Sequence, residues 1–265
     1  MGKKTIVLLV VIVAILASSS FLLVKDGIFG TRAHPRINGT MEIIVIPYFA
    51  PGDLQWQKIY DEADRFPGTI KYVVINPCSG PCGSSLDGAW GWVVSSLRER
   101  GVKTLGYVYN TNETITNIDY YMKGTGTHTD GIFFDNEGSE DNLNNFKQYA
   151  DYVHHLGGIV CINPGYNYSY VSGYVSSGES DIANIYELDY KNSRQVSENK
   201  ALSPWQASVI LGNVTSNEEM RSAIEELAKK GIGISYVYGG SYGELPSFFS
   251  DEVKDAAGTI VRGGR

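Results

Sequence analysis

Positive charge is scarce in this chain. Its 265 residues include 22 Lys and Arg against 29 Asp and Glu, a net charge of −7. A protein that binds nucleic acid through the phosphate backbone needs the opposite balance. The sequence also lacks a P-loop and a glycine-rich dinucleotide fingerprint. We therefore expect no nucleic-acid partner, no nucleotide partner and no nucleotide cofactor.

Long hydrophobic runs are scarce as well, and the one long enough to span a membrane lies at the N-terminus. It is uncharged from Thr5 to Val24, and Lys3 and Lys4 precede it. This length suits a hydrocarbon core of about 30 Å, and the lysines favour a cytoplasmic N-terminus. A cleaved signal peptide is the alternative. We predict a membrane anchor or signal peptide at residues 1–24 and a linker at 25–40. The domain at 41–265 is then extracellular, either anchored at the cell surface or secreted.

The rest of the chain alternates between two kinds of segment. The short apolar runs, rich in β-branched and aromatic residues, are Met41–Phe49, Ile70–Pro77, Lys103–Asn110, Gly131–Glu137, Gly158–Pro164, Ile182–Leu188, Ala207–Val214 and Gly233–Gly239. The clearest amphipathic segments are Asp53–Phe66, Ala89–Arg100, Asn142–Leu156 and Ser216–Lys230. Eight such strands, each followed by a helix, predict an α/β protein with a single (β/α)8 TIM barrel. An open doubly wound sheet is the alternative, but no phosphate-binding glycine fingerprint follows a strand.

Histidine is nearly absent, and none of the four residues lies where a predicted strand ends. Chemistry in such barrels takes place at the C-terminal ends of the strands. Metal-dependent hydrolases on this fold need several imidazoles there, and a Ser–His pair needs one. The sequence therefore predicts no metal site and no cofactor.

Carboxylates, amides and tyrosines stand at the strand ends instead. Asp135 ends the apolar run Gly131–Asp135, and Glu187 ends the run Ile182–Glu187. A carboxylate in that position is costly to desolvate unless it has partners or a function. Capping of the next helix is the alternative. Two carboxylates that flank a bond, with amides for hydroxyls and aromatic faces for sugar rings, are the minimal equipment of a glycosidase.

The candidate substrate-binding residues share a place at or near a strand end. They are Tyr48, Asn76, Tyr107, Tyr109, Glu137, Asn163, Tyr236 and Tyr238. Aromatic residues inside strands are more often part of a core, and an Asn before Pro is also explained by a turn. About half of the tyrosines are expected to touch ligand.

Cysteine is rare, and its odd count of three is no disulfide framework. Cys78 and Cys82 form a close pair that, in an exported chain, could be a disulfide or half a metal site. No further Cys or His pair accompanies them, which favours the disulfide. Cys161 lies inside a predicted strand and is expected to be a buried, inert thiol.

Five short motifs occur in order at the predicted strands. They are Ile46-Pro-Tyr-Phe49, Asn76-Pro-x-Ser-Gly-Pro81, Gly131-Ile-Phe-Phe-Asp135, Asn163-Pro-Gly165 and Ile185-Tyr-Glu187. Together they resemble the spherulin-4-like family (spherulation-specific family 4), barrel glycoside hydrolases related to endo-α-1,4-polygalactosaminidases. The resemblance covers roughly Glu42 to Gly239.

The resemblance implies a function for the two strand-end acids. Asp135 would be the nucleophile and Glu187 the general acid/base of a retaining hydrolase. The substrate implied is an α-1,4-linked galactosamine or N-acetylgalactosamine polysaccharide of the galactosaminogalactan type, cleaved internally and without a metal. The chain departs from the family pattern at Asn136, where Glu often follows the strand-four Asp. A barrel that binds surface glycan without cleaving it is therefore the alternative function.

Overall fold

The structure is a computed structural model that describes residues 38–86, 88–109, 113–124, 126–135, 143–164 and 171–262. The predicted anchor, most of the linker and Glu137 lie outside the described residues. Within the described ranges, no helix has both the length and the hydrophobicity that a bilayer crossing needs.

Ten strands are present in this part of the chain. They are β1 (Asn38–Thr40), β2 (Glu42–Val45), β3 (Ile70–Ile75), β4 (Lys103–Tyr109), β5 (Gly131–Asp135), β6 (Ile159–Asn163), β7 (Ile182–Asp189), β8 (Ala207–Gly212), β9 (Ile234–Val237) and β10 (Ile260–Arg262). β2 to β9 pair in chain order and close into a parallel barrel, since β9 also pairs with β2. β1 and β10 form a separate antiparallel pair. The predicted closed barrel is confirmed, and the open sheet is ruled out.

In the described ranges, six α-helices lie between barrel strands and a seventh follows the last barrel strand. They are α1 (Gln55–Arg65), α2 (Ala89–Glu99), α3 (Thr114–Met122), α4 (Leu143–His155), α5 (Val171–Ser176), α6 (Asn217–Lys229) and α7 (Phe249–Gly258). The four predicted helices lie within two residues of their expected bounds. Between β7 and β8 the chain forms two 3-10 helices instead, Tyr190–Gln195 and Pro204–Gln206. Pro204 opens the second of these, where its missing N–H costs no hydrogen bond.

Local signals account for the ends of α6. Ser216 is its N-cap, and its Oγ accepts a hydrogen bond of 3.2 Å from the backbone N–H of Glu219. Glu219 reaches back to the backbone N–H of Thr215 at 2.8 Å. Gly231 follows the helix with φ +74°, a conformation that glycine adopts without a Cβ clash. Ser216 and Glu219 thus form a capping box at the start of α6.

The register of the central strands brings the site together. Tyr109, Asp135 and Asn163 stand side by side at the ends of β4, β5 and β6. Close approach of β5 and β6 depends on Gly131, because a Cβ there would lie 2.1 Å from the backbone O of Ile159. The apolar residues before Asp135, from Ile132 to Phe134, are buried. A rigid, buried strand therefore delivers the Asp135 carboxyl to the open end of the barrel.

The seam between the first and last barrel strands is completed by a helix. β2 and β9 pair at only two positions, and beyond them the backbone N–H of Val237 donates to Oε1 of Glu252 on α7 at 3.0 Å. Burial raises the pKa of Glu252 to about 8. Burial thus favours the neutral acid, and its Oε1 replaces a missing strand partner.

Candidate active site

One amide joins the two strand-end acids. Asn163 Nδ2 donates to Asp135 Oδ1 at 2.8 Å and to Glu187 Oε2 at 2.9 Å. The two acceptor oxygens are therefore at most 5.7 Å apart, the limit reached if the three atoms were in line. Asn163 is buried at the end of β6, between the strands that carry the acids. Its position follows from the strand order and from the register that pairs it with Asp135.

The oxygen of the Asn163 amide contacts a second buried amide. The side-chain amide of Asn184, fully buried on β7, lies 2.8 Å from Asn163 Oδ1. The two carboxyls fix the orientation of the Asn163 amide, because only its nitrogen can donate to them. The arrangement leaves both acids with a fixed donor that never titrates.

Asp135 receives a second donor from the neighbouring strand. The Tyr107 hydroxyl on β4 donates to Asp135 Oδ2 at 2.5 Å. Burial raises the pKa of Tyr107, and the hydrogen bond and charge of Asp135 raise it further. Tyr107 therefore stays protonated and keeps donating. Hydrogen bonds to both oxygens stabilise the ionised form of a carboxyl, which suits a nucleophile.

Glu187 receives its second donor from a residue that the sequence did not indicate. Tyr242, in the loop between β9 and α7, donates from its hydroxyl to Glu187 Oε1 at 2.7 Å. Burial raises the pKa of Tyr242, and the Glu187 charge adds to the effect. Tyr242 follows a run of Gly and Ser with no apolar pattern around it. No local signal could have marked it.

Tyrosine rings line the approach to the acids. Tyr48 stacks on Tyr242 with ring centroids 5.2 Å apart and meets Tyr107 edge-on at 6.1 Å. Tyr238 also stacks on Tyr242, with ring centroids 4.3 Å apart. Burial raises the pKa of Tyr48, and the charges of Asp135 and Glu187 raise it further. Tyr48 is also 41% exposed, so one part of its ring is open to a ligand.

The cavity between the acids is small. It has a volume of about 50 Å³ and is lined by Ile46, Tyr48, Tyr107, Phe133, Asp135, Asn163, Glu187, Ile210 and Tyr242. Pockets that enclose a whole ligand measure about 300–1,000 Å³, so a sugar ring would sit above this cavity. Larger cavities of about 610 and 540 Å³ include neither Asp135 nor Glu187. The site is therefore identified by its pair of carboxyl groups and not by the volume of its cavity.

The remaining predicted residues that the structure describes differ in position. Tyr236 is fully buried and stacks beneath Tyr238 at 5.5 Å, so it belongs to the core. Asn76 is buried, and its Oδ1 accepts from the backbone N–H of Gly80 at 2.8 Å, which shapes the loop after β3. Tyr109 is half-exposed at the end of β4, level with Asp135.

None of the three cysteines lines the cavity between the acids. Cys78 and Cys82 form a disulfide with Cα atoms 5.5 Å apart, in the same loop that Asn76 shapes. Cys161 is buried in β6, and burial raises the pKa of its thiol. Across the described ranges, no group of three or more His, Cys, Asp or Glu side chains is placed to hold a metal ion.

Fold and site together define a class: a (β/α)8 barrel with a bridged pair of acids and exposed aromatic rings at the C-terminal ends of its strands. The model of the family Spherulin4, described as spherulation-specific family 4, matches residues 42–256. The chain belongs to this family, and the resemblance seen in the motifs is confirmed.

Two solved structures illustrate the shared fold. Sph3 from Aspergillus clavatus, crystallised in complex with GalNAc, is 21% identical with a TM-score of 0.69, over 82% of this chain and 98% of that chain. A GH18 chitinase from Pseudoalteromonas aurantia is 10% identical with a TM-score of 0.56, over 82% and 99%. At such identity the likeness concerns the fold alone. No curated protein matches the chain.

Proposed function

We propose that this protein is an endo-acting glycoside hydrolase for α-1,4-linked galactosamine or N-acetylgalactosamine polysaccharides. The observation that carries the proposal is the acid pair held by Asn163, with its nearest oxygens at most 5.7 Å apart. Membership of spherulation-specific family 4 supports a glycan substrate. The GalNAc bound to the structurally similar Sph3 supports the amino sugar.

The spacing of the acids favours retention of configuration. Carboxyl groups about 5–5.5 Å apart serve a double displacement, whereas about 6.5–9.5 Å is needed to admit an inverting water. Asp135, with donors on both oxygens, is the nucleophile that attacks the anomeric carbon. Glu187 protonates the leaving oxygen, then deprotonates the water that releases the sugar. Each step moves one proton and exchanges one bond at the anomeric carbon.

A barrel that binds the polymer without cleaving it is the second candidate. It is favoured by Asn136, which stands where relatives often carry Glu and lies outside the described residues. Both candidates share the tyrosine-lined approach, and they differ in whether new reducing ends appear.

The test is incubation of the protein with acetylated and deacetylated α-1,4-galactosaminans. We expect new reducing ends, oligosaccharides by mass spectrometry, and an α-anomer as the first product by NMR. Asp135→Asn and Glu187→Gln should each lower turnover by at least about 10²-fold. Asp119→Asn is the matched control, because Asp119 also accepts a tyrosine hydroxyl but lies on α3, outside the site.

The outcomes separate the candidates. Polymer binding without new reducing ends would support the binding protein. Near-normal cleavage by a correctly folded Asp135→Asn or Glu187→Gln variant would show that the role of that residue is wrong. A β-anomer as the first product would exclude the double displacement.

We also propose that the barrel acts outside the cell, tethered by its N-terminal segment. The support is the uncharged run from Thr5 to Val24 with Lys3 and Lys4 before it.

A further inference from the structure

We propose that Asp189 selects a deacetylated galactosamine on the leaving-group side of the scissile bond, by pairing its carboxylate with the ammonium group of that sugar. The inference rests on the proposed function and decides which of the two amino sugars this part of the site prefers. Asp189 ends β7, two residues beyond Glu187, and lies outside the five motifs shared with the family.

Asp189 belongs to the layer of inward positions directly above Glu187. Residues two apart on a strand point to the same face, and each residue adds about 3.3 Å along the strand. Glu187 is level with Ile210 of β8, and both line the cavity between the acids. One layer higher, Asp189 is level with Gly212. A Cβ on Gly212 would lie 2.6 Å from the hydroxyl oxygen of Tyr238, so Tyr238 extends over Gly212 toward Asp189.

The chemistry of the reaction brings the leaving sugar to this layer. Asp135 attacks the anomeric carbon, whereas Glu187 gives its proton to the glycosidic oxygen of the departing chain. The departing sugar therefore lies against the part of the rim that surrounds Glu187. Burial raises the pKa of Tyr238, and the charges of both Glu187 and Asp189 raise it further, because both carboxyls lie near its hydroxyl. Asp189 is thus within reach of the departing sugar.

The carboxyl of Asp189 is held in place and already binds an ammonium group. Asn213 Nδ2 donates to Asp189 Oδ1 at 2.6 Å. Asn213 is itself fixed, because its backbone N–H donates to the carbonyl of Gly239 at 2.9 Å. Lys191 Nζ lies 3.1 Å from Asp189 Oδ2. The hydrogen bonds from Lys191 and Asn213 hold the pKa of Asp189 below its usual value. Oδ2 is therefore an anionic acceptor for a primary ammonium, the group that deacetylation creates on the sugar.

A sugar can displace Lys191 from this carboxylate. The side chain of Lys191 is 77% exposed and that of Asp189 37% exposed, and an ion pair so exposed stabilises little. A sugar in a polymer that is already bound elsewhere loses less freedom when it pairs than a long lysine side chain does. An N-acetyl group is uncharged and gains less from the carboxylate. The net charge of −7 also favours the approach of a cationic polymer.

A role in the surface ion pair alone predicts no preference between the two sugars. Asp189→Asn keeps an acceptor for Asn213 and removes the charge, whereas Lys191→Gln removes the competing ammonium. The two changes should therefore have opposite effects on a cationic sugar. Glu198 and Lys200 are the matched control, since they too are an exposed carboxylate and a lysine two residues on, 3.2 Å apart. Glu198 lines a different cavity, which does not include the acids.

The experiment measures binding without turnover, by isothermal titration calorimetry at pH 6 in proteins that carry Asp135→Asn. The probes are an α-1,4-galactosamine oligosaccharide and its fully N-acetylated form. For the deacetylated probe we expect Asp189→Asn to raise Kd roughly 5- to 20-fold. Lys191→Gln should lower that Kd roughly 2- to 5-fold. The Kd of the acetylated probe should stay within about 2-fold in both, and Glu198→Gln should change neither value.

Cleavage by the protein with an intact Asp135 tests the side of the bond. The departing sugar becomes the new non-reducing end when a partly deacetylated polymer is cut. We therefore expect mass spectrometry to find galactosamine enriched at that end, and Asp189→Asn to abolish the enrichment. Enrichment at the new reducing end instead would overturn the proposal.

The binding results decide the proposal separately from the proposed function. Equal changes in Kd for both probes, an unchanged Kd in Asp189→Asn, or no binding of the deacetylated probe would each overturn it. Binding with the expected changes but without new reducing ends would sink the hydrolase and support the pairing of Asp189 with the ammonium group.

Discussion

At the residue scale, the Asn163 amide stabilises two carboxyl groups that lie close together. Two carboxylates this close repel each other, which raises the cost of ionising both. A shared N–H donor offsets that repulsion because it bonds to both oxygens. The Tyr107 hydroxyl donates to Asp135, and the Tyr242 hydroxyl donates to Glu187. Asn163 is thus the point at which the nucleophile and the acid/base are coupled.

Replacing Asn163 with Ala tests that coupling. A hydrogen bond to a charged group contributes about 1.5–3 kcal/mol, so we expect kcat on the polymer to fall roughly 10- to 150-fold. Steady-state kinetics and thermal unfolding should show lost turnover in a folded protein. Asn217→Ala is the control, because Asn217 donates to Asp251 at 2.7 Å on exposed helices. Activity within 2-fold of wild type for Asn163→Ala would contradict the role.

At the element scale, the C-terminal end of α4 is pinned to the loop before β7. His154 Nε2 lies 3.0 Å from Asp181 Oδ2. That oxygen also accepts from the backbone N–H of Val160 at 2.8 Å. The hydrogen bond with Asp181 raises the pKa of His154 above its ordinary value of 6.5. A cation at a helix C-terminus is also favoured by the helix dipole.

The raised pKa predicts a pH-dependent contribution to stability. The charged His154 stabilises the folded state fully below about pH 6.5, the pKa in the unfolded chain, and the contribution is lost as pH rises through the folded pKa. The difference in free energy of unfolding between wild type and His154→Gln should be larger at pH 5.5 than at pH 8.5. Urea unfolding at both values measures it. His155→Gln serves as control, and an equal difference for His154→Gln at both pH values would refute the prediction.

At the scale of the whole molecule, the candidate site and the proposed membrane tether can be considered separately. Residues 42–256 account for the family match and include both acids. The barrel strands close on themselves, β9 against β2. The chain therefore carries its site and its proposed tether in different segments.

The tether is tested by fractionation of the full chain in its host. A helix of that length inserts in effect irreversibly, so we expect the protein to stay with membranes after a high-salt wash. A chain that begins at Arg36 should appear in the soluble fraction with the same specific activity. A mature N-terminus near Phe21 in the medium would show instead that the segment is a cleaved signal peptide.

Short-range patterns were enough to predict the eight barrel strands and four of the helices. Period, caps and breaks are properties of neighbouring residues, so the eight strands and the bounds of α1, α2, α4 and α6 could be read from the sequence. The same holds for Asp135 and Glu187, because a carboxylate directly after a buried apolar run is visible locally. Between β7 and β8 the apolar pattern is weak, and the 3-10 helices there were not foreseen.

Barrel closure decided which of these residues meet. Asn76 and Asn163 look alike in the sequence, each an Asn before Pro at a strand end. Only Asn163 contacts the acids, because β6 lies between β5 and β7. Tyr236 and Tyr242 show the same limit: the predicted residue is buried in the core, and the loop residue contacts Glu187. Strand order and register join residues far apart in the chain, and no local pattern records those distances.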